Sequence, residues 1–135
     1  MSLGTPKGGS EPTHEGPLTK IPWIEDRFEY LNACDLVISR GGHETIMQSV
    51  CYQKPSIIIP VPRHPEQYGN ARRAVELGVA NAIPQNNVNK KTLLETIDEI
   101  LETGEEKRRL QDINSDAGLG NGLERTLESM HAFLA

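Results

Sequence analysis

Two stretches lie back to back in this 135-residue chain: Asp35-Leu-Val-Ile-Ser-Arg-Gly-Gly-His-Glu-Thr-Ile-Met-Gln48 and Pro55-Ser-Ile-Ile-Ile-Pro-Val-Pro-Arg-His-Pro-Glu-Gln-Tyr-Gly-Asn70. In each, a short β-branched run empties into a polar turn and a helix begins at once. The runs Leu36–Ser39 and Ser56–Ile59 have no apolar/polar alternation, the pattern of strands buried on both faces. Strand–turn–helix repeated in this way predicts parallel strands joined by right-handed crossovers. It also aims bare helix N–H groups at the carboxyl edge of the sheet, where phosphate-bearing ligands bind.

The same pattern continues outward. Helix is expected from about His43 to Gln53, with Ile46, Met47 and Val50 inward. Pro65 is suited to the first helical position, where its missing N–H costs nothing. The helix it opens puts Ala71, Ala74 and Val75 on one face and stops at Gly78. Val79–Ile83 reads as a third buried strand. Asn89 caps an amphipathic helix with Leu93, Leu94, Ile97, Ile100 and Leu101 on its core side, and Gly104 closes it. Two more helices, Glu105–Asn114 and Gly122–Leu134, flank a Gly118-Leu-Gly-Asn-Gly hinge. On the other side, Leu18–Ile24 reads as a short strand weakened by Pro22, and Arg27–Asn32 as one or two helical turns. Residues 1–17, rich in Gly and Pro, read as a flexible segment, with Met1-Ser2-Leu3 as a candidate cloning remnant. The fold class is α/β, a Rossmann-like parallel sheet flanked by helices, occupying 18–135.

Composition excludes several functions. With 14 basic and 19 acidic residues the net charge is −5, and no Lys/Arg run offers a track for nucleic acid. The longest apolar run, Ile57-Ile-Ile, falls far short of the ~20 residues that span a bilayer. Cys34 and Cys51 fit no metal spacing and read as free thiols, so a cytoplasmic location is expected. There is no Gly-x-Ser-x-Gly elbow, no Walker-type lysine after a glycine loop, and no Gly-x-Gly-x-x-Gly fingerprint. No metal or cofactor is expected in this chain, and no hydrolytic machinery is visible in it.

Candidate ligand contacts cluster at the two turns. Gly41-Gly42 either lets backbone N–H groups face an anion or is a tight turn that binds nothing. Thr45, Gln48 and Tyr52 share a helix face, as a ligand surface or as ordinary solvent exposure. His43 could help neutralise a diphosphate or simply be exposed. Glu44 complements the helix dipole. Glu66-Gln67 could take hydrogen bonds from sugar hydroxyls, or be first-turn residues and no more. Arg63 and His64 could contact phosphate or form loop surface, and Arg72-Arg73 reads as a solvated helix face.

Taken together, Asp35-Leu-Val-Ile-Ser-Arg-Gly-Gly…Thr45…Gln48, then Pro55…Pro60…Glu66-Gln67…Asn70-Ala71, resembles the C-terminal half of glycosyltransferase-B enzymes. The nearest likeness is to transferases that move N-acetylglucosamine from UDP to a lipid-linked acceptor, and it runs from about Lys20 to Phe133. The resemblance implies that Gly41, Gly42 and Thr45 bind the diphosphate, with Arg40 and His43 near it. It places Gln48 at the ribose hydroxyls and Glu66 and Gln67 at the donor sugar, and brings the segment around Ile24 partly into the uridine pocket.

Two departures qualify the likeness. Gln48 stands where the family usually has glutamate, so the grip on the ribose diol lacks a charge-assisted acceptor. The acceptor-binding N-terminal domain and two opening strands of the C-terminal domain have no counterpart here. In a sheet of order 3-2-1-4-5-6 this chain would supply strand 3 and strands 4 to 6. Leu36–Ser39 then becomes an open edge, which either Leu18–Ile24 or a second chain is expected to cover. The implied function is the UDP-sugar-binding half of an inverting glycosyltransferase, UDP-N-acetylglucosamine favoured, inactive without its acceptor-binding domain. The alternatives are a non-catalytic binding subunit that needs a separate, membrane-associated partner chain, and an α/β module that has lost ligand binding.

Overall fold

The computed structural model describes residues 11–117 and 128–132. The described residues divide into two compact units between Ala33 and Cys34.

In the first unit, β1 (Thr13–Glu15) and β2 (Leu18–Lys20) form an antiparallel hairpin, with Glu15 opposite Leu18. Gly16, at φ +59°, leads its two-residue turn. His14 Nδ1 and Thr19 Oγ1 are 3.1 Å apart across the pair, and Lys20 meets Glu15. The helix α1 (Arg27–Ala33) starts where Asp26 Oδ1 accepts the Phe28 N–H at 2.8 Å.

The hairpin gives Leu18–Lys20 a partner close in sequence. Leu18–Lys20 pairs with Thr13–Glu15, inside the stretch read as flexible, in a two-stranded sheet of its own among the described residues. Closing two residues costs little chain entropy, which favours the nearest neighbour in sequence. The strand also ends three residues in, just before Pro22, which lacks an N–H to donate.

The second unit is a three-stranded parallel sheet in the order β3 (Val37–Ser39), β4 (Ser56–Ile58), β5 (Ala80–Ala82). Its register sets Ile38 beside Ile57 and Ile57 beside Asn81. Helices α2 (His43–Cys51) and α3 (Pro65–Glu76) are the two crossovers. A 3-10 turn at Gln85–Asn87 leads into α4 (Lys90–Thr103), and α5 (Glu105–Ala117) follows.

The sheet separates two cores. On one face Ile58, Val79 and Ala80 pack with Val50 of α2, Ala71 and Ala74 of α3 and Leu110 of α5. On the other, Ile57 and Ile83 pack with Ile100, Leu93 and Ile97 of α4. Ile57 and Ile58 are fully buried, as adjacent residues facing opposite sides of a covered sheet must be. The expected cap of α4 is present as a capping box: Thr92 N–H donates to Asn89 Oδ1 at 3.0 Å and Asn89 N–H to Thr92 Oγ1 at 3.1 Å. Gly104 closes that helix at φ +62°. The expected hinge at 118–122 lies outside the described residues. Of the helix expected after it, residues 128–132 are helical.

Candidate functional site

Both crossover helices start at the carboxyl ends of their strands, and the turn after β3 is held from two sides. Gly41 is buried at φ +87°. A Cβ there would sit 2.9 Å from Ile58 Cγ2 and 3.3 Å from the Gln67 carbonyl oxygen. The turn therefore lies directly on β4 and on the first turn of α3, which a side chain would forbid. Asn70 Nδ2 donates to the Gly41 carbonyl at 3.1 Å and ties α3 to the same turn.

Gly42 plays a different part. It is the N-cap of α2, in extended conformation, with no side chain to bond the first turn. Nothing lies within 4 Å of its missing Cβ. Its carbonyl accepts the Ile46 N–H at 3.2 Å, so the helix begins regularly. α3 likewise has no side-chain cap: His64 makes no capping bond and Pro65 has no N–H. Two helix N-termini without side-chain caps thus open at one edge of the sheet, an arrangement that favours anionic groups.

The side chains around these two turns differ in exposure and in the bonds they make. Glu66 is exposed in the first turn of α3. Gln67 is half-buried, and its Oε1 accepts the Val61 N–H at 2.8 Å. That bond engages the amide oxygen and does not use Nε2. Thr45 is half-buried, and its carbonyl accepts the Ser49 hydroxyl at 2.9 Å. Gln48, also half-buried, donates through Nε2 to Glu44 Oε1 at 2.9 Å. His43 is exposed and borders an apolar groove between α2 and α3 lined by Ile46, Val50, Ala74 and Leu77. Arg40 is exposed, and its Nη2 donates to Gln85 Oε1 in the turn after β5. Arg63, in the loop that feeds α3, holds φ +63°, a conformation uncommon without glycine.

Residues 9–123 match the model of the glycosyltransferase family 28 C-terminal domain. The chain belongs to that family. It is 29% identical over 106 residues to an uncharacterized glycosyltransferase of Methanopyrus kandleri, covering 78% of this chain and 29% of that protein. It is 29% identical over 114 residues to the UDP-N-acetylglucosamine–N-acetylmuramyl-(pentapeptide) pyrophosphoryl-undecaprenol N-acetylglucosamine transferase of Rubrobacter xylanophilus, covering 83% and 34%. Among solved structures, the glycotransferase of kitacinnamycin superposes with a TM-score of 0.71 at 21% identity, over 82% of this chain and 28% of that one. MurG of Acinetobacter baumannii gives 0.60 at 21%, over 67% and 26%. These likenesses fit the α/β architecture described above. The chain spans about a third or less of the length of these proteins.

Within this family 28 domain, the expected residues Arg40, Gly41, Gly42, His43, Thr45 and Gln48 follow one another from the end of β3 into α2. Gln67 lies against the same turn at Gly41, and Glu66, exposed, precedes it in the first turn of α3. Three supporting contacts were not expected from the sequence. Asn70 reaches Gly41 across 29 positions, and Gln85 reaches Arg40 across 45. No local pattern announces either. The Glu44–Gln48 bond is different, since a spacing of four places both on one helix face. Among the described residues no helix is long and apolar enough to cross a membrane.

Proposed function

We propose that this chain is the donor-binding half of an inverting UDP-sugar-dependent glycosyltransferase, with UDP-N-acetylglucosamine as the favoured donor. The observation that carries the proposal is the Gly41 turn: its contact with β4 and Gln67 brings the open N-terminus of α2 beside that of α3. The donor named for the Rubrobacter xylanophilus relative supports the choice of sugar nucleotide.

In this assignment the diphosphate lies at Gly41, Gly42 and Thr45, with Arg40 and His43 beside it. Backbone N–H groups fixed in advance stabilise the charge that grows on departing UDP. Gln48 holds the ribose hydroxyls. Glu66 accepts from the donor sugar, and Gln67, whose oxygen is engaged by Val61, offers it Nε2. The catalytic base and the acceptor site belong to a further domain or to a partner chain, so this chain alone is inactive. That partner would also bring an otherwise cytoplasmic chain to the membrane. β3, the terminal strand of its sheet, supports a second role as a contact between two copies of the chain.

Titration with UDP-N-acetylglucosamine, UDP-glucose, UDP and GDP, followed by amide NMR, tests the assignment. Saturable binding of the uridine ligands, with shifts at Gly42, Thr45, Gln48 and Gln67, is the expected result. Shifts confined to other residues, or equal binding of GDP, would overturn it. Binding of none of the four would favour a module that no longer handles nucleotide sugars.

A further inference from the structure

We infer that Glu44 is a positioning residue for the ribose diol, acting through Gln48; this rests on the donor assignment above. Gln48 Nε2 donates to Glu44 Oε1 at 2.9 Å. An amide has one donor end and one acceptor end, so this bond decides which end is left for a ligand. With its nitrogen on the Glu44 carboxylate, Gln48 presents Oε1, and a vicinal diol can donate to it. The resulting chain runs from hydroxyl to amide oxygen, and from amide nitrogen to carboxylate. Each bond polarises the next, and the last acceptor carries a full charge.

A carboxylate at position 48 would put that charge directly on the diol. Here the charge stands one helical turn earlier and acts at one remove, with the amide as the group that touches the ligand. Glu44 without Gln48 would have nothing to relay. Gln48 without Glu44 would be free to turn its nitrogen outward, where a hydroxyl must act as acceptor.

Simple charge electrostatics predict the opposite effect. Glu44 lies in the first turn of α2, beside the proposed diphosphate site. Deleting a negative charge near a bound anion should tighten binding. A positioning role predicts weaker binding, and only when the ligand carries the diol.

Calorimetric titration of the parent chain, Glu44→Ala and Glu44→Gln with UDP and with 2′,3′-dideoxy-UDP separates these outcomes. Glu44→Ala should weaken UDP roughly fivefold, the loss of about one hydrogen bond, and leave the dideoxy ligand unchanged. Glu44→Gln keeps an acceptor oxygen and should lose less. The Gln48 side-chain amide resonances should move in both variants before any ligand is added. An equal loss for both ligands, no loss, or tighter binding of UDP by Glu44→Ala would overturn the role of Glu44 while leaving the donor assignment intact. Failure of the parent chain to bind UDP would remove that assignment and this role together.

Discussion

At the scale of single residues, Gly41 and Gln67 are where stability and ligand contact can be told apart. Gly41→Ala would add a methyl group 2.9 Å from Ile58 Cγ2 at a backbone φ of +87°. Both the strain and the clash act at once, and the expected loss is about 1–3 kcal/mol. Chemical denaturation measures it, and uridine ligands should bind more weakly because the start of α2 must move. Gln67 lets the two effects be separated. Its Oε1 accepts from Val61 N–H while Nε2 remains on the other side of the amide. Gln67→Ala leaves the Val61 N–H without its acceptor and should cost about 1 kcal/mol. Gln67→Glu keeps an acceptor for Val61 but has no N–H to give. Its unfolding midpoint should stay near the parent's, while the advantage of UDP-N-acetylglucosamine over UDP falls. A Gln67→Glu variant that unfolds early but keeps that advantage would show Gln67 to be purely structural.

At the scale of elements, the helix ends carry the clearest energetic contrasts. α2 and α3 finish in the same hydrogen-bonded motif. Lys54 N–H donates to the Ser49 carbonyl and Gln53 N–H to that of Val50; Val79 pairs with Ala74 and Gly78 with Val75 in the same pattern. The left-handed position is glycine in α3, Gly78 at φ +71°, but Gln53 at φ +55° in α2. Gln53→Gly should therefore stabilise the chain by about 1 kcal/mol, read from its thermal midpoint. Asn89→Ala removes the side-chain half of the α4 capping box and should cost about 1 kcal/mol in the same assay. Most of these elements are legible in the sequence because their signals are local: Asn89 and Gly104 bracket α4, Pro65 and Gly78 bracket α3, and β-branched runs mark β3 and β4. What is not legible depends on tertiary approach. Thr13-His-Glu has no apolar alternation, so nothing in it announces β1. The positive φ of Gln53 follows from the chain's path into β4, not from the residue. At the site, the glycine turn and its helix are visible in order along the chain. The partners Asn70 and Gln85 become neighbours only once the sheet forms.

At the scale of the whole molecule, one face of the second unit is incompletely covered. Ile38 lies beside the fully buried Ile57 in the parallel register and so shares the face on which α4 packs. Yet Ile38 is 47% exposed, and Leu94 and Leu101 of α4, expected on its core side, instead lie seven positions apart on its open side, 47% and 53% exposed. Parallel sheets bury both faces, and a terminal strand with an apolar face recruits another chain. Association of two chains at β3 is therefore expected to rise with protein concentration, and sedimentation velocity measures it. Ile38→Lys should abolish the rise. Because the side chain is already half in water, its removal should cost no more than about 1 kcal/mol of stability, so a folded monomer is the expected product. Leu94→Lys and Leu101→Lys act as a second pair. If they also reduce association, the contact extends from the strand onto α4. If they leave it unchanged while Ile38→Lys removes it, the contact is confined to the strand. A parent chain that sediments as a monomer at every concentration would rule out self-association there.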